Sequence, residues 1–457
     1  MTKLRDSIDF EHMKISRLFA KLFIPTLLGL VFSATLNIAD GIFVGQGCGA
    51  FALAAVNIAA PIFLMTFGLS LLFGTGVSIV GAIHMAKGNY KAANINVTQA
   101  FTASFAIMTV LVLMLIFFPE RLCYLFGGSS ELEPYVVQYL LCISPLPVLL
   151  CTVVVGMFVI RLDGSPKFAM YTNIVPAVLN MFLDWLFIFP FDMGLAGGAI
   201  ATTISEAVAF AMVIVYMLRL SNVLHFYNLK LSRTSIRLTV RNLGYMFKIG
   251  FSTFIGESAI ACMMIVGNFM FMKLLKEDGV AAYSVACYLF PLIFMFCNAI
   301  SQSALPIISY NYGKKAFERI GATFSLSLKL TVITGIALSF CVFFFCENII
   351  GIFLSSHNNL AYDIGVAGLP YFSIGFTFFS LNIVCIGYFQ SLEKANTAIF
   401  LMLLRGVIFV IPCFILLPYF IGVKGLWLAV PLSEILTFII ILLALMRFNP
   451  IENQIKR

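Results

Sequence analysis

The sequence predicts an all-α integral membrane protein, with twelve transmembrane helices in two parallel-repeat six-helix bundles around a central cleft. Three observations carry that prediction. Apolar residues make up 61% of the 457 positions and charged residues 11%, and the mean hydropathy is +1.04. The apolar residues gather into runs long enough to cross a bilayer. The second half of the chain echoes the first at a fixed offset.

Soluble domains carry roughly 25% charged residues, so this chain has too little charge to solvate a globular surface. That excludes a soluble, disordered or disulfide-scaffold protein. A bilayer-crossing helix needs about 20 apolar residues. Twelve such runs can be marked at residues 17–42, 52–78, 95–118, 132–156, 168–189, 194–218, 246–272, 279–304, 321–345, 360–386, 395–419 and 424–446. The longest hydrophilic stretch, 219–245, reads as a cytoplasmic linker between an N-terminal lobe (1–218) and a C-terminal lobe (246–457). The acidic residues Asp6, Asp9 and Glu11 precede the first run and no small-residue cleavage site follows it. The first run is therefore expected to be a retained span.

The net charge of +8 reflects loop cations. With the N-terminus placed inside, 22 of the 28 Lys and Arg residues fall on the cytoplasmic side and four outside, while Lys329 and Arg405 fall within spans. The asymmetry fits an even span count with both termini cytoplasmic. No basic block or nucleic-acid motif is present. The eleven cysteines, among them Cys142, Cys151, Cys262, Cys287, Cys297 and Cys341, sit mostly in apolar runs without a CxxC, and read as small buried residues.

Residues 194–206 (GLAGGAIATTISE) and 422–434 (GVKGLWLAVPLSE) are identical at five of 13 positions, including Gly194/Gly422, Gly197/Gly425 and Glu206/Glu434. Ala54-Ala55 matches Ala281-Ala282, and Gly88 is set against Gly313. Six spans separate the copies, so the repeats run parallel, and rocking two such bundles about a shared cleft points to a carrier.

Ionisable groups at membrane depth cost roughly 2.5–3.5 kcal/mol on insertion scales, so each needs a reason. Span one carries Ser33, Asn37 and Asp40 on one face, with Pro25 earlier able to kink the helix. Span five carries Asn180 and Asp184 four residues apart, one turn beyond Pro176. A carboxylate beside an amide suits Na⁺, or a proton with a hydrogen-bond partner; an interhelical tether is the alternative. Span six adds Thr202, Thr203, Ser205 and Glu206. Glu206 and Glu434, being duplicated, read as helix tethers. Glu257, Ser258, Asn298, Ser301 and Gln302 are the polar residues of spans seven and eight. Glu257, Asn298 and Asn37 join Asp184 as candidate substrate contacts. Arg405 is a lone deep cation expected to snorkel or to pair with a carboxylate. No histidine lies deep in a span, and no phosphate-cradling loop or catalytic constellation is found. The chain therefore reads as no enzyme, needs no cofactor, and draws its energy from an ion gradient. The 20 Met and 48 Phe residues would suit a permissive cavity for amphiphilic cations, although most of them are accounted for by packing.

Several of these segments resemble the multidrug and toxic compound extrusion (MATE) family of efflux carriers. They are Asn37-Ile-Ala-Asp40-Gly-Ile-Phe-Val-Gly45 with Ala54-Ala55-Val56-Asn57, Arg161-Leu-Asp-Gly164, Leu179-Asn180-Met-Phe-Leu-Asp184, and Gly194-Leu-Ala-Gly197 through Ala201-Thr202. The run Asp40-Gly-Ile-Phe-Val-Gly looks like the bacterial branch of staphylococcal-type multidrug exporters. The resemblance implies a monomer in the bacterial cytoplasmic membrane that exports small amphiphilic, mostly cationic drugs against inward Na⁺ or H⁺. It places the ion site on Asp40, Asn180, Asp184 and Thr202 and the bending helix at Pro25, with Pro176 a second hinge. It makes Glu257 a candidate span-seven carboxylate, while Asp363 sits too far out to supply the span-ten partner seen in some branches. The rivals are a lipid-linked oligosaccharide flippase, expected to line its cleft with several cations, and a membrane receptor or enzyme.

Overall fold

The computed structural model describes residues 6, 8–48, 50–126, 130–230, 232–353 and 360–447, and is built from helices with no strand among them. In order these are α1 (Ile15–Cys48), α2 (Ala50–Ala86), α3 (Tyr90–Phe117), α4 (Pro119–Leu125), α5 (Glu133–Ile143), α6 (Leu146–Leu162), α7 (Pro166–Ile188) and α8 (Gly194–Val215). A π turn, Tyr216–Leu220, ends α8. There follow α9 (Arg233–Gly313), α10 (Phe317–Phe344), α11 (Cys346–Phe353), α12 (Leu360–Ser373), α13 (Gly375–Ser391), α14 (Ala395–Leu403), a π turn at Leu404–Ile408, α15 (Val410–Ile421) and α16 (Val423–Arg447). Two compact units result, Met1–Phe254 and Ile255–Arg457, and their boundary falls inside α9.

Among the described residues, ten helical stretches are long and apolar enough to cross a membrane. The seventh and eighth runs both lie in α9, whose helical backbone is interrupted between them at Lys276 (φ +55°). Two further spans, expected as single runs at 132–156 and 360–386, are each a bent pair: α5 and α6 meet at 46°, α12 and α13 at 42°. Pro145, at the first break, has no backbone N–H to continue the ladder and clashes with the preceding turn. At the second break, Gly375 lets the chain approach Pro431 of α16, whose Cα would lie 3.0 Å from an added Cβ.

The repeat is visible in the backbone. Gly88 (φ +71°) follows α2 as Lys315 (φ +59°) follows α9. Gly164 (+86°) follows α6 as Glu393 (+60°) follows α13, and Gly194 (+57°) opens α8 as Gly422 (+64°) precedes α16. The turn bonds agree as well: Asn89 N–H donates to the His84 carbonyl and Ala316 N–H to that of Asn311, both at 2.9 Å. This corrects the alignment of Gly88, whose partner is Lys315 and not Gly313. Two copies accept an ordinary side chain where the other copy uses glycine, so the left-handed turn itself is what the repeat preserves.

In the first unit, glycines bring α2 and the start of α9 into backbone contact. A Cβ on Gly76 would run into the Met246 carbonyl, and one on Gly250 into that of Leu72. Small residues at such crossings let helices in lipid gain dispersion contacts. The segment 222–230 is pinned rather than loose. The Asp163 carboxylate accepts from the N–H groups of Asn222 (2.7 Å), Val223 (2.8 Å) and Leu224 (2.8 Å), and from the Tyr216 hydroxyl (2.7 Å). Asn94 and Thr98 of α3 accept from His225 N–H (3.1 Å) and Tyr227 N–H (2.8 Å).

The second unit centres on aromatic side chains. Phe271 stacks on Tyr283 with centroids 4.5 Å apart and meets Trp427 edge-on at 5.0 Å, arrangements that suit the ring quadrupoles. All the cysteines are free thiols; Cys151, Cys287 and Cys297 are buried as expected, whereas Cys341 is exposed on α10.

Candidate functional site

Helix α7 positions the central residues. Its buried positions, Pro166, Ala169, Thr172, Pro176, Asn180, Asp184 and Ile188, recur every three or four residues, with Ala177 beside them. The opposite positions, Val175, Val178, Phe182 and Trp185, are exposed. One face is therefore apolar and outward, and the polar residues turn into the bundle, where α7 packs against α1 and α8.

Asp184 is fully buried (0% exposed) and Asn180 nearly so. The Asn180 amide nitrogen donates to Asp184 Oδ2 at 2.9 Å, and its oxygen accepts from Thr202 N–H at 3.1 Å. The reverse amide orientation would set two oxygens against each other. The amide atom facing α8 also lies 3.3 Å from Thr202 Oγ1, and that hydroxyl donates to the Gly198 carbonyl at 3.0 Å. The second carboxylate oxygen, Asp184 Oδ1, has no hydrogen-bond partner among the described residues. It faces Gly198, where an added Cβ would stand 4.0 Å away, beside Val44 and Ile188. Asp40, half-buried on α1, is within electrostatic reach of Asp184, and both carboxylates reach the buried Tyr139 of α5.

The structure thus brings Asn180, Asp184 and Thr202 together and puts Asp40 in the same neighbourhood. It adds Asn173, which sequence reasoning missed. Ser33 Oγ donates to Asn173 Oδ1 at 3.2 Å, and a Cβ on Gly29 would press on the Asn173 amide at 2.9 Å. The signal was present: Asn173, Asn180 and Asp184 are spaced seven and four apart, one helical face. The Asn37 side chain lies outside the described residues. Pro25 and Pro176 are both buried inside uninterrupted helices.

The duplicated glutamates differ. Glu434 is a tether: its carboxylate accepts from Arg405 Nε at 2.9 and 3.1 Å and from Asn382 Nδ2 at 2.6 Å. Arg405 thereby pairs with a carboxylate, with the Phe379 ring 4.2 Å from its guanidinium carbon. Glu206 Oε2, one turn beyond Thr202, has no hydrogen-bond partner among the described residues, contrary to the tether expected there. Glu257 Oε1 is likewise without one, although Arg405 is within electrostatic reach. Asn298 is half-buried on α9. No group of three or more His, Cys, Asp or Glu converges among the described residues, so the carboxylate, amide and hydroxyl oxygens around Asp184 suit a monovalent cation or a proton rather than a tightly held transition metal.

The MatE family model matches the chain twice, over residues 25–186 and 253–415, the second match beginning 228 residues after the first. Among curated relatives, the multidrug export protein MepA of Staphylococcus saprophyticus is 24% identical over 437 residues, covering 93% of this chain and 92% of that protein. Among solved structures, the MATE multidrug transporter DinF-BH, determined as a ligand complex, is 28% identical with a TM-score of 0.85, over 96% of this chain and 98% of the other. A MOP superfamily transporter from Pyrococcus furiosus, described as having a binding pocket of reverse polarity that suggests a different function, aligns with a TM-score of 0.88 at 17% identity. That match covers 97% of this chain and 98% of the other. The staphylococcal likeness seen in the motifs is thus matched over nearly the whole length. This chain is a multi-pass membrane protein, and it belongs to the MatE family of membrane transporters.

Proposed function

We propose that the protein is a cation-coupled antiporter that exports small amphiphilic, mostly cationic compounds by alternating access. The observation that carries this reading is the buried Asp184 carboxylate, with one oxygen held by Asn180 and the other unpartnered beside Gly198. A buried carboxylate oxygen without a donor is costly. A proton or a Na⁺ arriving at Oδ1 removes that cost, with Asp40 adding charge and Thr202 holding Asn180 in register. Drug and ion then compete for the same negative neighbourhood, and coupling follows because each favours a different state. Asp184 and Asn37 are the contacts proposed for the exported cation in the first unit, and Glu257 and Asn298 those in the second. Pro25 and Pro176, each unable to donate a backbone hydrogen bond, are where α1 and α7 change curvature. The two lobes are the moving bodies, and the cation-rich loops set both termini on the cytoplasmic side of a bacterial inner membrane. MepA is a multidrug export protein and DinF-BH a multidrug transporter, and both likenesses support the substrate class.

The test is drug efflux from proteoliposomes driven by an imposed Na⁺ gradient and, separately, a pH gradient. Asp184→Asn and Asp40→Asn are expected to abolish gradient-driven export. Intact export by both variants would overturn the site.

A further inference from the structure

The start of α9 carries a feature that the transport cycle does not use. From Arg219 to Lys248 six cations occur (Arg219, Lys230, Arg233, Arg237, Arg241 and Lys248), and no carboxylate lies anywhere between Glu206 and Glu257. All six are exposed. None of them forms an ion pair among the described residues.

The rotational setting of this helix is fixed. Met246 and Ile249 are fully buried. Gln99 of α3 holds the same side, donating to Thr239 Oγ1 at 2.9 Å and accepting from Asn242 Nδ2 at 3.2 Å. At 100° per residue, the face pointing away from α3 presents Arg237, Arg241, Tyr245 and Lys248 in one stripe. Beside it runs a second stripe, Ile236, Val240 and Phe247, exposed by 52%, 65% and 40%. A recess of about 500 Å³ opens along the edge of the basic stripe opposite this apolar one, lined by Leu238, Arg241, Asn242, Gly244, Tyr245 and Lys248. Gly244, exposed between the two stripes, leaves open space there, since an added Cβ would meet nothing within 4 Å.

We infer that this surface holds one anionic phospholipid, its phosphate on Arg241 and Lys248 and an acyl chain along Ile236, Val240 and Phe247. The pairing of stripes selects the occupant. Free phosphate would use only the cations, and a neutral lipid only the apolar flank. A molecule with an anionic head joined to an apolar tail uses both, and the bilayer around the protein supplies it. In the orientation proposed above, the six cations lie on the cytoplasmic side, where anionic lipids attract basic residues most strongly.

The experiment is native mass spectrometry of the full-length, detergent-purified protein titrated with phosphatidylglycerol or with phosphatidylcholine of the same acyl chains. Wild-type protein is expected to retain phosphatidylglycerol preferentially. The double variant Arg241→Gln/Lys248→Gln should weaken that retention about thirty-fold, roughly five-fold per cation near a membrane surface, and leave phosphatidylcholine unaffected. Val240→Asn, which changes no charge, should also weaken it. Lys314→Gln/Lys315→Gln, the same charge change elsewhere, should not. Equal retention of both lipids by wild type, or an equal loss in the Lys314/Lys315 variant, would overturn the assignment. Displacement by millimolar inorganic phosphate together with an unaffected Val240→Asn would overturn it in favour of a simple anion site.

Discussion

Replacing Glu434 by Ala tests the buried electrostatics of the second unit most sharply. Both partners of the pair are almost wholly enclosed, with side chains 4% and 3% exposed and an Nε–Oε1 distance of 2.9 Å. Removing the carboxylate leaves Arg405 with Met402 Sδ at 3.6 Å and the Phe379 ring as its nearest contacts, and with Glu257 within electrostatic reach. Stranding a buried charge costs about 3–5 kcal/mol. The Phe379 and Met402 contacts are made in the wild type as well and return nothing on substitution, so the loss should be about 3–5 kcal/mol. Arg405→Met should cost a similar amount, because Glu434 then keeps only Asn382. The double variant Glu434→Leu/Arg405→Met removes both charges and fills the space, and should recover most of the loss. Melting of the detergent-purified protein by scanning fluorimetry reads all three. A double variant destabilised by the sum of the single effects would refute the claim that charge, rather than packing, dominates this pair.

Three further outcomes follow from the first unit. Asp163→Ala strands the three N–H groups of residues 222–224, each costing about 1–3 kcal/mol unpaired, so amide exchange should accelerate there before anywhere in α2; unchanged protection would contradict the clasp. Gly250→Ala should lower the melting temperature markedly, since its Cβ meets the Leu72 carbonyl, whereas Gly244→Ala, with open space around it, should be stable or slightly improved. Gly198→Ala adds a methyl at ordinary contact distance from Val44 and Ile188 and 4.0 Å from Asp184 Oδ1. It should leave the fold intact and reduce apparent ion affinity several-fold, read as the ion dependence of efflux at fixed drug concentration.

Much of this molecule was legible from its residues, and the illegible parts share a cause. Apolar run length locates the helices because lipid demands it. It is blind to breaks inside a run, so the bends near Pro145 and Ile374 were absorbed into single spans. Asn180 and Asp184 were readable because a polar pair on one face of an apolar helix is too costly in lipid to stand without a partner or a ligand, and Asn173 was readable by the same spacing. Arg405 could be expected to pair, but its choice of Glu434 depends on how α16 and the turn at Leu404–Ile408 meet, which no spacing encodes. Glu206 shows the limit of repeat reasoning: it shares its motif with Glu434, yet bundle one has no arginine at the position of Arg405, and its Oε2 has no hydrogen-bond partner among the described residues. Asp163 gave no signal as a clasp, because its partners are backbone N–H groups some 60 residues away.

The measurement that bears most directly on the central claim is ion counterflow. Proteoliposomes loaded with a cationic drug, with no ion gradient imposed, should take up Na⁺ or H⁺ in step with drug leaving through the wild-type protein. The ion flux should vanish in Asp184→Asn, and the coupled drug movement with it. Drug movement without any matching ion flux in the wild type, or an ion flux that survives Asp184→Asn, would contradict a site that takes up and releases a cation at this carboxylate.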